Sequence, residues 1–156
     1  MFALLASCGM AAGAASPPPR SALERAIDER LSRFPGTLGL FALHLETGET
    51  VAVNADTRFP TASVIKTAVM VEAFQQIADG RLRKDQLVTL EEAAKVGGSG
   101  VLRGLRAGGQ HSVADLLYLM IAVSDNTATN LLIGLVGTKN VDDRMAGYGL
   151  PLTRLY

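Results

Sequence analysis

A serine and a lysine three residues apart, Ser63-Val64-Ile65-Lys66, stand at the head of a long apolar segment. Residues three apart on a helix share a face, so this spacing lets the lysine amine reach the serine hydroxyl. A hydroxyl is a weak nucleophile until a neighbour takes its proton. A lysine can do so only when burial or nearby positive charge lowers its pKa. Val64, Ile65, Ala68, Val69 and Met70 supply an apolar setting. A helix start adds unpaired backbone N–H groups and a dipole that favours developing negative charge. The plainer reading is a serine at a helix N-terminus followed by a surface lysine. A second polar group, Ser124-Asp125-Asn126, interrupts a hydrophobic run. All three residue types are good N-caps, which makes the triplet helix punctuation. The chemical reading gives Ser124 a hydroxyl to relay a proton and Asn126 an amide to bind a substrate carbonyl. Asp125 then holds the turn by accepting from backbone N–H groups.

Other chemistries have less to stand on. His44 and His111 have no second ligand at helical or loop spacing and read as ordinary polar positions; no metal or cofactor is expected. The single cysteine, Cys8, excludes an intrachain disulfide and a cysteine-based metal site. Gly98-x-Gly100-x-x-x-Gly104 misses the dinucleotide fingerprint by one residue, and no long strand leads into it. A formal net charge of zero and 48% hydrophobic residues argue against disorder and against a nucleic-acid partner. No run reaches the roughly 18 to 20 apolar residues that span a bilayer, so no transmembrane segment is expected.

The elements that must position these groups follow from periodicity and punctuation. Residues 1–19 are expected to be a signal-like export segment: a small, apolar stretch, then Ser16-Pro17-Pro18-Pro19, with Ala12-Gly13-Ala14 as a small-residue cleavage site. The apolar run is short and no Lys or Arg precedes it, as if the start codon had been placed late. Leu5-Ala6-Ser7-Cys8 resembles a lipobox, in which the cysteine is lipidated. Residues 20–156 form the domain. Residues 21–33 read as a helix with Leu23, Ile27 and Leu31 along one stripe, and Ser21 with Glu24 as its capping box. Residues 37–45 and 50–54 read as a hairpin joined across Gly48. Residues 62–78 are too long for a strand and read as a helix closed by Gly80. Residues 85–90 are a short strand or an extended connection, and 97–109 a glycine-rich loop. Ser112 and Asp115 open another helix, whose run 116–123 reads as buried nearly all round. Residues 127–136 and 138–148 give two more helices, separated by Gly137.

Taken together, the motifs resemble those of the class A β-lactamase family of penicillin-recognising serine hydrolases. There Ser-x-x-Lys is followed by Ser-Asp-Asn about sixty residues later; here the two serines are 61 residues apart. Arg58-Phe59-Pro60-Thr61-Ala62, Asn126-Thr127-Ala128 with Asn130-Leu131-Leu132, and Leu150-Pro151-x-Thr153-Arg154-Leu155 extend the likeness. The resemblance implies an α+β fold, an antiparallel sheet flanked by helices with an all-helical domain beside it. This chain would supply the first two strands and most of the helical domain. It also implies roles. Ser63 would attack a lactam carbonyl to give an acyl-enzyme, and Lys66 would help to deprotonate it. Ser124 would pass a proton to the leaving nitrogen, and Asn126 would bind the substrate's side-chain amide. The base for acylation is left open.

The family's water-activating Glu and its Lys-Thr-Gly strand are not found in the 156 residues, and Tyr156 stands where many members have Asp. On this reading the chain is the N-terminal portion of an exported enzyme, monomeric at full length, and by itself is expected neither to fold stably nor to turn over β-lactams. Two alternatives stand beside it: a penicillin-binding peptidase acting on peptidoglycan, and a non-catalytic truncated homologue.

Overall fold

The computed structural model describes residues 21–155. The signal-like segment 1–19 with Cys8, and Tyr156, lie outside the described residues. The chain divides into two compact units, residues 1–57 and 58–156.

In the first unit, helix α1 (Ala22–Leu31) starts where the sequence places it. Ser21 Oγ accepts from the Glu24 N–H at 3.1 Å, and the Glu24 carboxylate accepts from the Ser21 N–H at 2.6 Å. This reciprocal box satisfies two donors that a helix start leaves free. Of the apolar stripe, Ile27 and Leu31 are partly buried, whereas Leu23 is exposed. Ile27 faces Val51 and Val53 across a shallow hollow. Strands β1 (Leu40–Leu43) and β2 (Thr50–Val53) pair antiparallel, with Leu40 opposite Val53 and Leu43 opposite Thr50. The hairpin is closed by Gly48 N–H on the His44 carbonyl, and His44 Nδ1 accepts from the Thr47 N–H. Val51 is buried, but Phe41 and Leu43 of β1 are exposed.

The second unit is helical and holds the core. A 3-10 turn (Ala62–Val64) leads into α2 (Ile65–Ala78), so the expected helix over 62–78 is split at its N-terminal end. Ala62, at φ +46, lies outside the helical region and forces the tighter turn. A short strand β3 (Leu87–Thr89) resolves the open segment 85–90; it pairs with β4 (Gln110–Ser112), Val88 opposite His111. His111 Nε2 is enclosed and has no hydrogen-bond partner. Helix α3 (Val113–Ala122) opens on a second capping box, Ser112 with Asp115. Helices α4 (Asn126–Val136) and α5 (Thr138–Gly147) follow, parted by Gly137.

Helices α2, α3, α4 and α5 enclose one core. Val69 and Ala73 of α2 meet Val113, Leu116 and Met120 of α3, Leu132 and Val136 of α4, and Val141 of α5. Each Val, Leu or Met side chain among these taken fully out of water contributes about 1.5–3 kcal/mol. The expectation that 116–123 is buried nearly all round is corrected: Tyr118 is 71% exposed and Ile121 and Val123 are also open. Only the Leu116/Met120 side of α3 has helices packed on it, and apolar composition cannot say how many sides will be covered.

Candidate active site

Three segments converge in the second unit. The 3-10 turn and first turn of α2 bring Ser63 and Lys66. The break between α3 and α4 brings Ser124, Asp125 and Asn126, and the glycine-rich loop brings backbone from Val96 to Leu102. Ser63, Lys66, Val96, Gly97, Asn126 and Asn130 line one cavity of about 470 Å³, within the usual range for small-molecule sites.

Lys66 is 4% exposed and makes three polar contacts, all to the interrupting triplet. Its Nζ donates to the Ser124 carbonyl at 2.6 Å, to Ser124 Oγ at 2.8 Å and to Asn126 Oδ1 at 2.8 Å. Ser124 Oγ in turn donates to Ser63 Oγ at 2.9 Å. The link from amine to candidate nucleophile therefore runs through Ser124. Burial holds the Lys66 amine below its ordinary value of 10.5, against an opposing pull from the Asp125 charge. A neutral Lys66 has only two N–H donors and gains a lone pair. The Ser124 hydroxyl then turns to donate to it, freeing Ser124 Oγ to accept from Ser63; hydroxyl protons rotate to suit their partners. The same heavy atoms thus form a path that draws a proton from Ser63 towards Lys66.

Asp125 is 1% exposed, and its carboxylate holds the site together. Oδ2 accepts from the Val101 N–H at 2.6 Å and the Leu102 N–H at 2.8 Å; Oδ1 accepts from the Ala128 N–H at 3.0 Å and caps α4. Burial pushes its pKa up, but the backbone N–H groups of Leu102, Ala128, Val101 and Thr127 outweigh that and hold it below 3.8. The structural role read for Asp125 is therefore wider than a turn, since it also ties down a loop on a remote stretch of chain. Asn126 adds to this: its Nδ2 donates to the Gly97 carbonyl at 3.0 Å, and its N–H to the Ser99 carbonyl at 3.0 Å. One Nδ2 hydrogen remains for another acceptor.

The loop set aside as a failed nucleotide motif is therefore part of the site frame. Its glycines are required by contact. A Cβ on Gly98 would sit 2.5 Å from Asn126 Nδ2, and one on Gly100 would sit 2.3 Å from Asp125 Cγ, with φ at +92 and +115. The site also holds strain. Ser124 has φ +54 and Ala62, next to Ser63, has φ +46; a non-glycine residue held there costs about 1–3 kcal/mol. Motif spacing carried no sign of either.

Sequence reasoning also passed over Glu72. It is 1% exposed at the far half of α2, and its carboxylate accepts from Gln76 Nε2 at 2.8 Å and Arg144 Nε at 2.9 Å. Arg81 lies 3.7 Å away. Gln76 also donates to the Val136 carbonyl, so α2, α4 and α5 are joined through one buried carboxylate. The available signal was a charged residue amid an apolar helix. Among the described residues no group of three or more His, Cys, Asp and Glu is placed to hold a metal, and no helix is long and apolar enough to cross a membrane.

Comparison with known proteins agrees with this geometry. Residues 22–156 match the family described as the β-lactamase enzyme family. A β-lactamase of Streptomyces fradiae is 34% identical over 98% of this chain and 52% of its own length. The solved β-lactamase of Sphaerobacter thermophilus superposes with a TM-score of 0.79 at 36% identity, over 88% of this chain and 52% of that one. A solved structure of PBP-A reaches 0.82 at 30% identity, over 90% of this chain and 54% of that one. This chain spans about half the length of the curated relatives it matches. It has the class A β-lactamase and PBP fold, as an N-terminal portion, and it belongs to the β-lactamase enzyme family.

Proposed function

We propose that residues 58–156 carry the acylating machinery of an exported, monomeric class A β-lactamase. The observation that carries this reading is the Ser63–Ser124–Lys66 chain of contacts beside a cavity that Ser63 and Lys66 line, ending on an amine whose pKa burial lowers. Ser63 Oγ attacks the lactam carbonyl while its proton passes along the chain to Lys66. Ser124 then delivers a proton to the nitrogen that leaves as the ring opens, and an ester to Ser63 results. The Ser63 N–H, at the head of the turn, serves as one oxyanion donor, a contribution of about 3–4 kcal/mol to the transition state. The free Nδ2 hydrogen of Asn126 takes the amide carbonyl of the substrate's side chain. Hydrolysis of the ester is assigned to groups outside these residues. No cofactor enters the scheme.

A second reading is a penicillin-binding peptidase that acts on peptidoglycan and releases β-lactams slowly. The likeness to PBP-A supports it, because a mutant of that protein was solved as an acyl-enzyme complex with penicillin G. The two readings share Ser63 and differ in the fate of the ester. The test uses a chimera of this chain followed by the part of the Streptomyces fradiae β-lactamase that it does not match. Labelled penicillin is expected to attach to Ser63, and Ser63→Ala to abolish labelling. An adduct mapped to Ser124, or to any other residue, overturns the assignment. Because the appended half comes from a β-lactamase, the readout is attachment of the label to Ser63 and not its release.

A further inference from the structure

Thr127 stands in the first turn of α4, next after Asn126, and is 1% exposed. A buried hydroxyl is costly unless it is hydrogen-bonded, and a valine would fill the same space without that cost. Thr127 Oγ1 accepts from the Val96 N–H at 3.2 Å, across 31 positions of chain. Val96 and Gly97 line the same cavity as Ser63 and Lys66. Downstream of Gly97 the loop is held through Ser99, Val101 and Leu102, all bonded to Asp125 or Asn126. Immediately upstream its tie to another segment is the Val96 N–H on Thr127. That anchor bears on the Asn126 amide. Asn126 Oδ1 accepts from Lys66 Nζ, and one Nδ2 hydrogen goes to the Gly97 carbonyl at 3.0 Å. An amide group is planar, so these two contacts together set the direction of the second Nδ2 hydrogen. A shift of the Gly97 carbonyl turns that hydrogen, and Gly97 directly follows the anchored Val96 N–H.

We propose that Thr127 is a positioning residue: its hydroxyl holds the Val96–Gly97 edge and thereby aims the Asn126 amide at the side-chain carbonyl of an acylamido β-lactam. This deepens the reading of Ser63 and Asn126 given above and rests on it. Thr127 touches no reacting atom. It acts on how the substrate's side chain is held and not on the attack at the ring. A β-lactam that carries an amide beside the ring benefits from the aimed hydrogen, and one without that amide has no carbonyl to receive it.

Two variants of the chimera described above separate the hydroxyl from its surroundings. Thr127→Val keeps the shape and removes the acceptor, whereas Thr127→Ser keeps the acceptor and removes a methyl. Acylation is compared for penicillin G and for aminopenicillanic acid, the penicillin nucleus with a free amine in place of the side-chain amide. The preference for penicillin G, taken as the ratio of second-order acylation rates, is expected to fall about tenfold in Thr127→Val through lost orientation, and to return to within about twofold of the parent in Thr127→Ser. With no β-lactam present, the Val96 amide hydrogen is expected to exchange with deuterium at least about tenfold faster in Thr127→Val, because its hydrogen bond no longer protects it. An unchanged preference, or Val96 exchange at the parental rate, overturns the proposal. So does an equal loss on both substrates, which makes Thr127 a general support, or a serine variant as impaired as the valine one. A Thr127→Val chimera that fails to melt cooperatively also overturns it, since the hydroxyl then holds the fold and not the edge. Failure of the catalytic reading shows separately, as a parent chimera with no label on Ser63, and the proposal falls with it.

Discussion

Replacing Asp125 with Asn is nearly isosteric and removes only charge and one acceptor. An amide has a single oxygen, whereas the carboxylate receives Val101 and Leu102 on one oxygen and Ala128 on the other. The less costly orientation keeps the first two and turns the NH₂ group towards the Ala128 N–H. One buried donor is then left without an acceptor, a loss of about 1–3 kcal/mol. The two surviving bonds lose their charge assistance, worth about 1 kcal/mol each. The sum, about 3–5 kcal/mol, is a large share of the roughly 5–15 kcal/mol that holds a domain folded. Thermal melts of the chimera at pH 7 are expected to fall by about 6–20 °C.

The pH dependence has a definite sign. Asp125 titrates below 3.8 in the folded protein, so its stabilisation is complete above about pH 4 and is lost as pH falls through the folded-state pKa. The gap between parent and variant should therefore narrow as the melts are moved from pH 7 towards pH 3. Catalysis is expected to respond in the opposite sense. The Asp125 charge raises the Lys66 pKa, so its removal should move the rising limb of acylation to lower pH in the folded variant. A variant that melts within 2 °C of the parent at pH 7 would refute the claim that this carboxylate holds the loop.

Three further outcomes are expected. Lys66→Arg keeps a charge but no amine that can lose its proton; penicillin acylation should fall by at least 10²-fold, while in the parent the rising limb should centre below the ordinary amine value of 10.5, and an unchanged rate would make Lys66 a mere charge. Gly100→Ala drives a methyl into Asp125 and imposes φ +115 on alanine, so the chimera should lose about 2–4 kcal/mol of stability and most acylation, and a neutral melt would show that the loop sits elsewhere. Glu72→Leu removes the carboxylate shared by Gln76 and Arg144; with Arg144 partly open to water, a loss of about 2–3 kcal/mol in urea unfolding is expected, with labelling of Ser63 by penicillin retained.

Much of this arrangement could be read from local signals. Ser21 with Glu24, and Ser112 with Asp115, announced helix starts because a capping box is complete within four residues. The Ser63-x-x-Lys66 spacing and the polar interruption at 124–126 were equally plain. What stayed hidden depends on contacts between distant segments. β4 pairs with β3 across more than twenty residues, and Gln110-His111-Ser112 is too short and polar to be read as a strand alone. Lys66 faces Ser124 and Asn126 rather than Ser63 directly, which its helical spacing could not reveal. The value of Gly98 and Gly100 lies in what presses against them, not in any pattern they form. The open side of α3 was missed for a related reason, since apolar composition records that burial is suited and not where it occurs.

The way the glycine-rich segment is fastened bears on how this site can evolve. Its bonds to the Asp125-Asn126-Thr127 segment use the backbone of Val96, Gly97, Ser99, Val101 and Leu102. The Ser99 and Val101 side chains, both exposed, take no part in that fastening. Replacements at these two positions can alter the outer surface of the loop while the frame it braces keeps its geometry. Selection on the loop's exposed surface and selection on the frame beneath it then act on separate positions, so the first can drift quickly while the second stays fixed.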